Sequence, residues 1–242
     1  MVIFRRTALH LSSLALLSGA LVVGAPLAAH ASVTNPTVAS IIKAAKSAIV
    51  KESGVHVVLS TFSGKTESSV VADIGKTSGT ETVVSGNENF TITVTPKYAY
   101  LSGSKTGLVT LMQMTAAEQK KIGKSSMSMK KGSTYYKTFK SNLTSGTTFA
   151  SLLPALKGTT LLAKRDKKTN GYQLSWSVKA TSTQPKTSNV MTISAGTKTL
   201  PLKDAVTTSS GKSNTTFTKW GETVRVKIPT STISSTKVIP GG

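Results

Sequence analysis

Hydrophobic positions change their period along the chain, and each change marks a predicted element. Val38, Ile41, Ile42, Ala45, Ala48 and Ile49 recur at intervals of three and four, which places them on one face of an α-helix. An amphipathic helix is therefore expected over residues 38–51, stopped near Ser53-Gly54. After Gly54 the period falls to two. Val55, Val57 and Leu59 share one strand face, and short alternating segments follow around Val70-Val71, 82–84, 90–94 and 98–100, punctuated by glycines and Pro96. This pattern reads as an antiparallel meander.

The middle of the chain breaks the alternation. Thr115 followed by Glu118 has the spacing of a capping box opening a short helix to Ile122. Residues 148–156 predict another helix with Phe149, Leu152, Leu153 and Leu156 on one side, its last turn opposed by Pro154. Strands are expected again over 159–164, 172–178, 190–195, 199–205, 215–219 and 223–228, many of them rich in Thr, Val and aromatics. The fold class implied is α+β: a large curved antiparallel sheet, or half-barrel, with two or three helices covering its concave face. So many strands do not stay flat and open; the sheet must curl, split or be covered.

The ends read differently. Arg5-Arg6, an apolar run over 8–23 and the box Ala29-His30-Ala31 form a secretory signal over residues 1–31. Residues 32–37 are expected as a flexible start, 38–233 as one domain and 234–242 as a flexible tail. Ser32 stands where a lipobox would need cysteine, so the mature protein is expected in the extracytoplasmic cell envelope or secreted, without a lipid anchor. The chain contains no cysteine, which excludes disulfides, thiol chemistry and thiolate metal sites.

Composition adds a partner class. Thirty Lys and Arg oppose nine Asp and Glu, for a net charge of +21. Beyond the leader the only arginines are Arg165 and Arg225. Lysine is a hydrated point charge, whereas base readers favour the planar arginine fork, so no nucleic-acid partner is expected. Peripheral contact with anionic membrane or wall polymers fits the charge, as does a lysine-rich solubilising surface with no partner.

Catalytic chemistry is sparse. His56 is the only histidine past the leader, and it lies out of phase with Val55 and Val57, on the opposite face of its strand. One histidine and no cysteine assemble neither a metal cluster nor a histidine-based triad. The carboxylates are scattered, and neither a phosphate-binding glycine loop nor a nucleophile elbow occurs. The expectation is a non-enzymatic monomer without cofactor or metal.

Several segments, in order, carry a resemblance. Ser53-Gly54-Val55-His56-Val57-Val58-Leu59 follows an amphipathic helix. Tyr98-Ala99-Tyr100-Leu101 precedes a variable stretch. Gly196 precedes Leu200-Pro201, and the run 217–229 contains Trp220-Gly221 and ends at Pro229. Together these resemble LolA-like envelope carriers and, more closely, the actinobacterial LppX-LprG lipoprotein family, across most of residues 40–230. The chain departs from that family in lacking the anchoring cysteine and in its Met- and Lys-rich stretch over 111–136.

The resemblance implies a hydrophobic cavity that shields acyl chains, hence a lipid ligand and transport across the envelope. Lining would come from Val55, Val57, Leu59, Phe90, Ile92, Val94, Leu174, Trp176 and Val178, with Leu152, Leu153 and Leu156 of the second helix. Each of these also reads as ordinary core, because a cavity wall and a packed interior need the same side chains. Met112, Met114, Met127 and Met129, with Tyr135 and Tyr136, read either as an adaptable lid flanked by lysines or as a surface loop. The rival functions are a basic wall-binding module for anionic polymers and a protein-sensing half-barrel that moves no lipid.

Overall fold

A computed structural model of the chain describes residues 36–63, 66–144, 153, 162–167, 169–180 and 186–239. The expected leader, residues 32–35 of the expected flexible start, Leu152, Leu156 and the rest of the expected helix over 148–156 except Leu153 lie outside these residues.

The elements follow from local chemistry. Helix α1 (Val38–Ile49) turns Ile41, Ile42, Ala45 and Ile49 inward. Thr37, expected in a loose start, instead caps this helix, its side chain accepting the Ser40 N–H. Ten antiparallel strands and one short parallel one then join β1 (Gly54–Ser63) in a single sheet. On one side lie β2 (Thr66–Gly75), β3 (Gly79–Ser85), β4 (Glu88–Val94), β5 (Tyr98–Gly103) and β6 (Ser126–Lys130). On the other lie β11 (Gly211–Thr218), β10 (Pro201–Thr208), β9 (Thr187–Ser194), β8 (Gly171–Val178) and β7 (Leu162–Asp166). The full order is β12-β6-β5-β4-β3-β2-β1-β11-β10-β9-β8-β7, an open, curved α+β half-barrel. Two meanders thus meet at β1, which pairs with β2 and β11.

Five helices occur among the described residues, more than the two or three expected. Those the periodicity missed are short and begin at serines: α2 (Lys105–Thr110) is capped by Ser104, and α4 (Thr134–Leu143) by Ser133. Between them α3 (Ala116–Ile122) carries the expected capping box, Thr115 accepting from the Glu118 N–H while Glu118 accepts from the Thr115 N–H.

The C-terminal segment differs most from expectation. Residues 223–228, expected as a strand, pair with no neighbour. They belong to a strap that leaves β11 and passes the ends of β1, β2 and β3. Along it Gly221 N–H donates to Gly54 O (2.9 Å) and Ser78 Oγ donates to Val224 O (3.3 Å). A segment crossing strand ends cannot form a ladder along them. The strap delivers β12 (Thr232–Ser234), which pairs parallel with β6, and then α5 (Ser235–Val238). Residues 234–239, expected within a tail, therefore pack, with Val238 and Ile239 buried in the core. The apolar residues Val238 and Ile239 would be costly to leave in water.

Candidate ligand-binding face

The inner face of the sheet carries two apolar clusters. The first spans β1 to β6 and is closed by helices. Phe90, Ile92 and Val94 of β4 meet Leu101 of β5, Met127 and Met129 of β6, Leu108 of α2, Tyr136, Phe139 and Leu143 of α4, and Val238 of α5. Tyr136 locks α4 down, its hydroxyl donating toward Thr95 O and Pro96 O, each at 3.0 Å. At Gly107 of α2 a Cβ would lie 2.1 Å from Asn89 O, so only glycine lets this helix lie so close to the start of β4.

All four methionines read as lid or loop belong to this cluster. Met112, Met114, Met127 and Met129 are buried, Tyr136 is buried beside them, and Tyr135 packs partly buried at its edge. The stretch over 111–136 folds into α3, β6 and the start of α4 rather than a flap or surface loop. The missed signal lies in Ser126-Met127-Ser128-Met129, which alternates polar and apolar as an inward-facing strand does. Exposed Lys120, Lys121, Lys124, Lys130 and Lys131 flank these residues and give the segment a surface-like composition.

The second cluster covers β1, β2, β8, β9 and β11. Val55, Val57, Ala72, Ile74, Leu174, Met191, Ile193 and Phe217 line it, with Leu153 against them, and α1 supplies its helical side through Ile41, Ile42, Ala45 and Ile49. Tyr172, Trp176 and Trp220 are only partly buried here. Val178 and Val206 continue the half-buried margin. At the edge the Arg165 guanidinium sits 5.1 Å from the Tyr172 ring centroid, a cation–π arrangement.

Of the residues expected to line a cavity, Val55, Val57, Leu153 and Leu174 fall in this second cluster, and Trp176 packs against it. Leu59, Phe90, Ile92 and Val94 fall in the first. Val178 is half-buried at the end of β8 and belongs to neither.

Motifs distant in sequence pin the end of α1. Trp220 Nε1–H donates to Pro201 O at 2.8 Å, and the Trp220 ring stacks near Phe217 with centroids 6.3 Å apart. Ser53 donates to Gly221 O, and buried Glu52 pairs with Lys198 at 2.8 Å. Gly221 has φ +86°, and a Cβ there would lie 2.7 Å from Glu52 Oε2. The Leu-Pro and Trp-Gly segments thus form one anchor for the helix above the second cluster.

The opposite face carries polar side chains together with exposed Val71, Val84 and Val190. His56 lies there, as its phase implied, 2.7 Å from Asp73 Oδ1. Thr82 and Thr91 pair through their hydroxyls there at 3.0 Å, whereas Ser68, which donates to Ser85 at 2.9 Å, is in phase with Val70 and Val83 on the inner face. Among the described residues no group of three or more His, Asp or Glu side chains could hold a metal ion, and no helix is long and apolar enough to cross a membrane.

Two carboxyl groups interrupt the apolar face. Glu81 of β3 is 5% exposed and Asp204 of β10 is 6% exposed. Glu81 Oε2 and Asp204 Oδ1 have no hydrogen-bond partner. Burial pushes the Glu81 carboxyl up to about 7. It pushes Asp204 up to about 6, against a lowering hydrogen bond from the Ala205 backbone. Neither was singled out from sequence. The signal was available: each is a carboxylate at an inward position of a strand.

No family model matches the chain, and no curated protein does. Solved structures do. The chain is similar to the crystal structure of the Mycobacterium tuberculosis lipoprotein LppX, at 12% identity and a TM-score of 0.48, covering 79% of this chain and 100% of that one. It is also similar to the structure of LprF from Mycobacterium bovis, at 14% identity and a TM-score of 0.45, covering 78% and 95%.

Proposed function

We propose that this protein is a non-enzymatic carrier that holds an acyl chain against the inner face of β1 and β8 to β11, beneath α1. We further propose that it is exported by its leader and works in the cell envelope without a lipid anchor. The observation that carries the reading is the unequal cover that the described residues give the two clusters. Helices α2, α4 and α5 pack the first cluster, whereas the second ends in half-buried Tyr172, Trp176, Val178 and Val206 around an apolar floor. Acyl chains entering such a trough gain about 0.8 kcal/mol per buried CH2, so affinity needs no catalytic group or metal.

Native mass spectrometry of the mature protein from its own host, followed by solvent extraction, tests this. A lipid bound near one per chain is the expected result. Empty protein that also refuses fluorescent acyl probes would overturn the proposal. Trp176→Glu should cut acyl-probe affinity at least about tenfold, because a charge would stand at the trough margin.

A further inference from the structure

The two apolar clusters change over at buried polar side chains. In the register through Val57, the order across the sheet is Phe217, Val57, Ala72, Glu81, Ile92. Ala72 belongs to the α1 cluster and Ile92 to the other, with Glu81 between them. In the neighbouring register through Leu59 the order is Leu174, Met191, Asp204, Thr215, Leu59. Met191 belongs to the α1 cluster and Leu59 to the other, with Asp204 and the buried Thr215 between them.

A buried acceptor left unpaired is costly, and native interiors rarely keep one without a reason. No ion pair among the described residues involves Glu81 or Asp204. Asp204 lies on the strands proposed to meet a ligand, and Glu81 lies on the same inner face two strands beyond β1, at the border of the α1 cluster, so these unpaired acceptors point to partners carried by that ligand.

We propose that Glu81 and Asp204 are the polar anchors of the ligand site, and that they select a long-chain amphiphile bearing hydroxyl groups over one bearing a carboxylate. The inference rests on the carrier reading and names its cargo class. A hydroxyl donates to a carboxylate and accepts from a carboxylic acid, so it satisfies either protonation state of these groups. A fatty carboxylate would place like charge beside them in a medium that screens poorly. Above neutrality both groups are largely ionised, so a fatty carboxylate meets like charge while a hydroxyl still donates to them. The basic exterior therefore attracts anionic surfaces while the interior rejects anionic headgroups.

Titration of the mature chain with hexadecane, hexadecanol and palmitate at mildly alkaline pH, followed by tryptophan fluorescence, tests the proposal. Hexadecanol should bind at least about tenfold more tightly than palmitate, the value of one hydrogen bond to a charged group. Glu81→Leu and Asp204→Leu together should shrink that gap to within about threefold while hexadecane binding holds or improves. Should the double variant fold poorly, Glu81→Gln preserves shape and supplies an amide N–H, and should tighten palmitate by about tenfold. Equal wild-type affinities for the alcohol and the acid would overturn the cargo class alone, as would palmitate binding unmoved by Glu81→Gln. Failure of all three probes on the wild type would overturn the carrier reading with it.

Discussion

Glu81 shows how one residue sets a property of the whole chain. Its carboxyl titrates at about 7 when folded, against an ordinary value of 4.5, because burial penalises the charged form. The folded state therefore holds this proton more tightly than the unfolded state. The associated stability is complete below pH 4.5 and is lost as pH rises toward about 7, after which the loss is constant. The full loss is roughly 3 kcal/mol. Asp204, pushed up to about 6, adds a decline in the same direction. Urea melts across this range should show wild-type stability falling with pH, and Glu81→Gln should flatten part of that fall. A wild-type profile that rises with pH through the interval would contradict the assigned burial. Gly221 acts locally by comparison. Its φ of +86° and its closeness to Glu52 predict that Gly221→Ala costs about 1–3 kcal/mol, read as a lowered melting temperature.

At the scale of elements, serine and threonine do much of the specifying. Thr37, Ser104, Thr115 and Ser133 each cap a helix, and these caps let short helices start where periodicity alone is weak. Thr115→Ala removes half of a capping box and should cost about 1 kcal/mol by denaturant unfolding. In the α3–β6–α4 segment exposed lysines stand between buried methionines and mask the local period. The pattern of Met127 and Met129 with Tyr136, Phe139 and Leu143 contains the alternation and the helical spacing that the segment obeys. Met129→Ala should cost about 2–5 kcal/mol in the same assay, the usual result of emptying a packed methionine site. A surface flap would lose almost nothing.

The whole molecule divides its labour between two halves of one curved sheet. The β2–β6 half is closed by helices and by the returning C-terminal strap. The β7–β11 half, with α1 anchored by Glu52, Ser53 and Trp220, carries the face proposed to bind ligand. The excess of Lys and Arg over Asp and Glu in the sequence predicts screened long-range attraction to anionic surfaces, separate from the proposed ligand face. Binding to anionic vesicles should therefore weaken steeply as salt is raised, whereas uptake of a neutral acyl probe should persist. Loss of both with salt would favour a basic wall-binding module.

Local patterning by itself determined the amphipathic first helix, the capping box at Thr115, the inward set on β1, the placement of His56 and the α+β class, because helical and strand periods and cap spacings act over a few residues. The resemblance in the Leu-Pro and Trp-Gly segments pointed to the half-barrel, and the structure joins those segments through Trp220 and Pro201. Only the tertiary structure decided that β11 pairs with β1, that residues 223–228 form a strap instead of a strand, and that the C-terminal residues pack into the core. It alone set Glu81 and Asp204 at the boundary of two apolar clusters. Those outcomes depend on partners more than a hundred residues apart, or on which strand lies beside which. A local period says which face of a segment turns inward, and not what it will meet there.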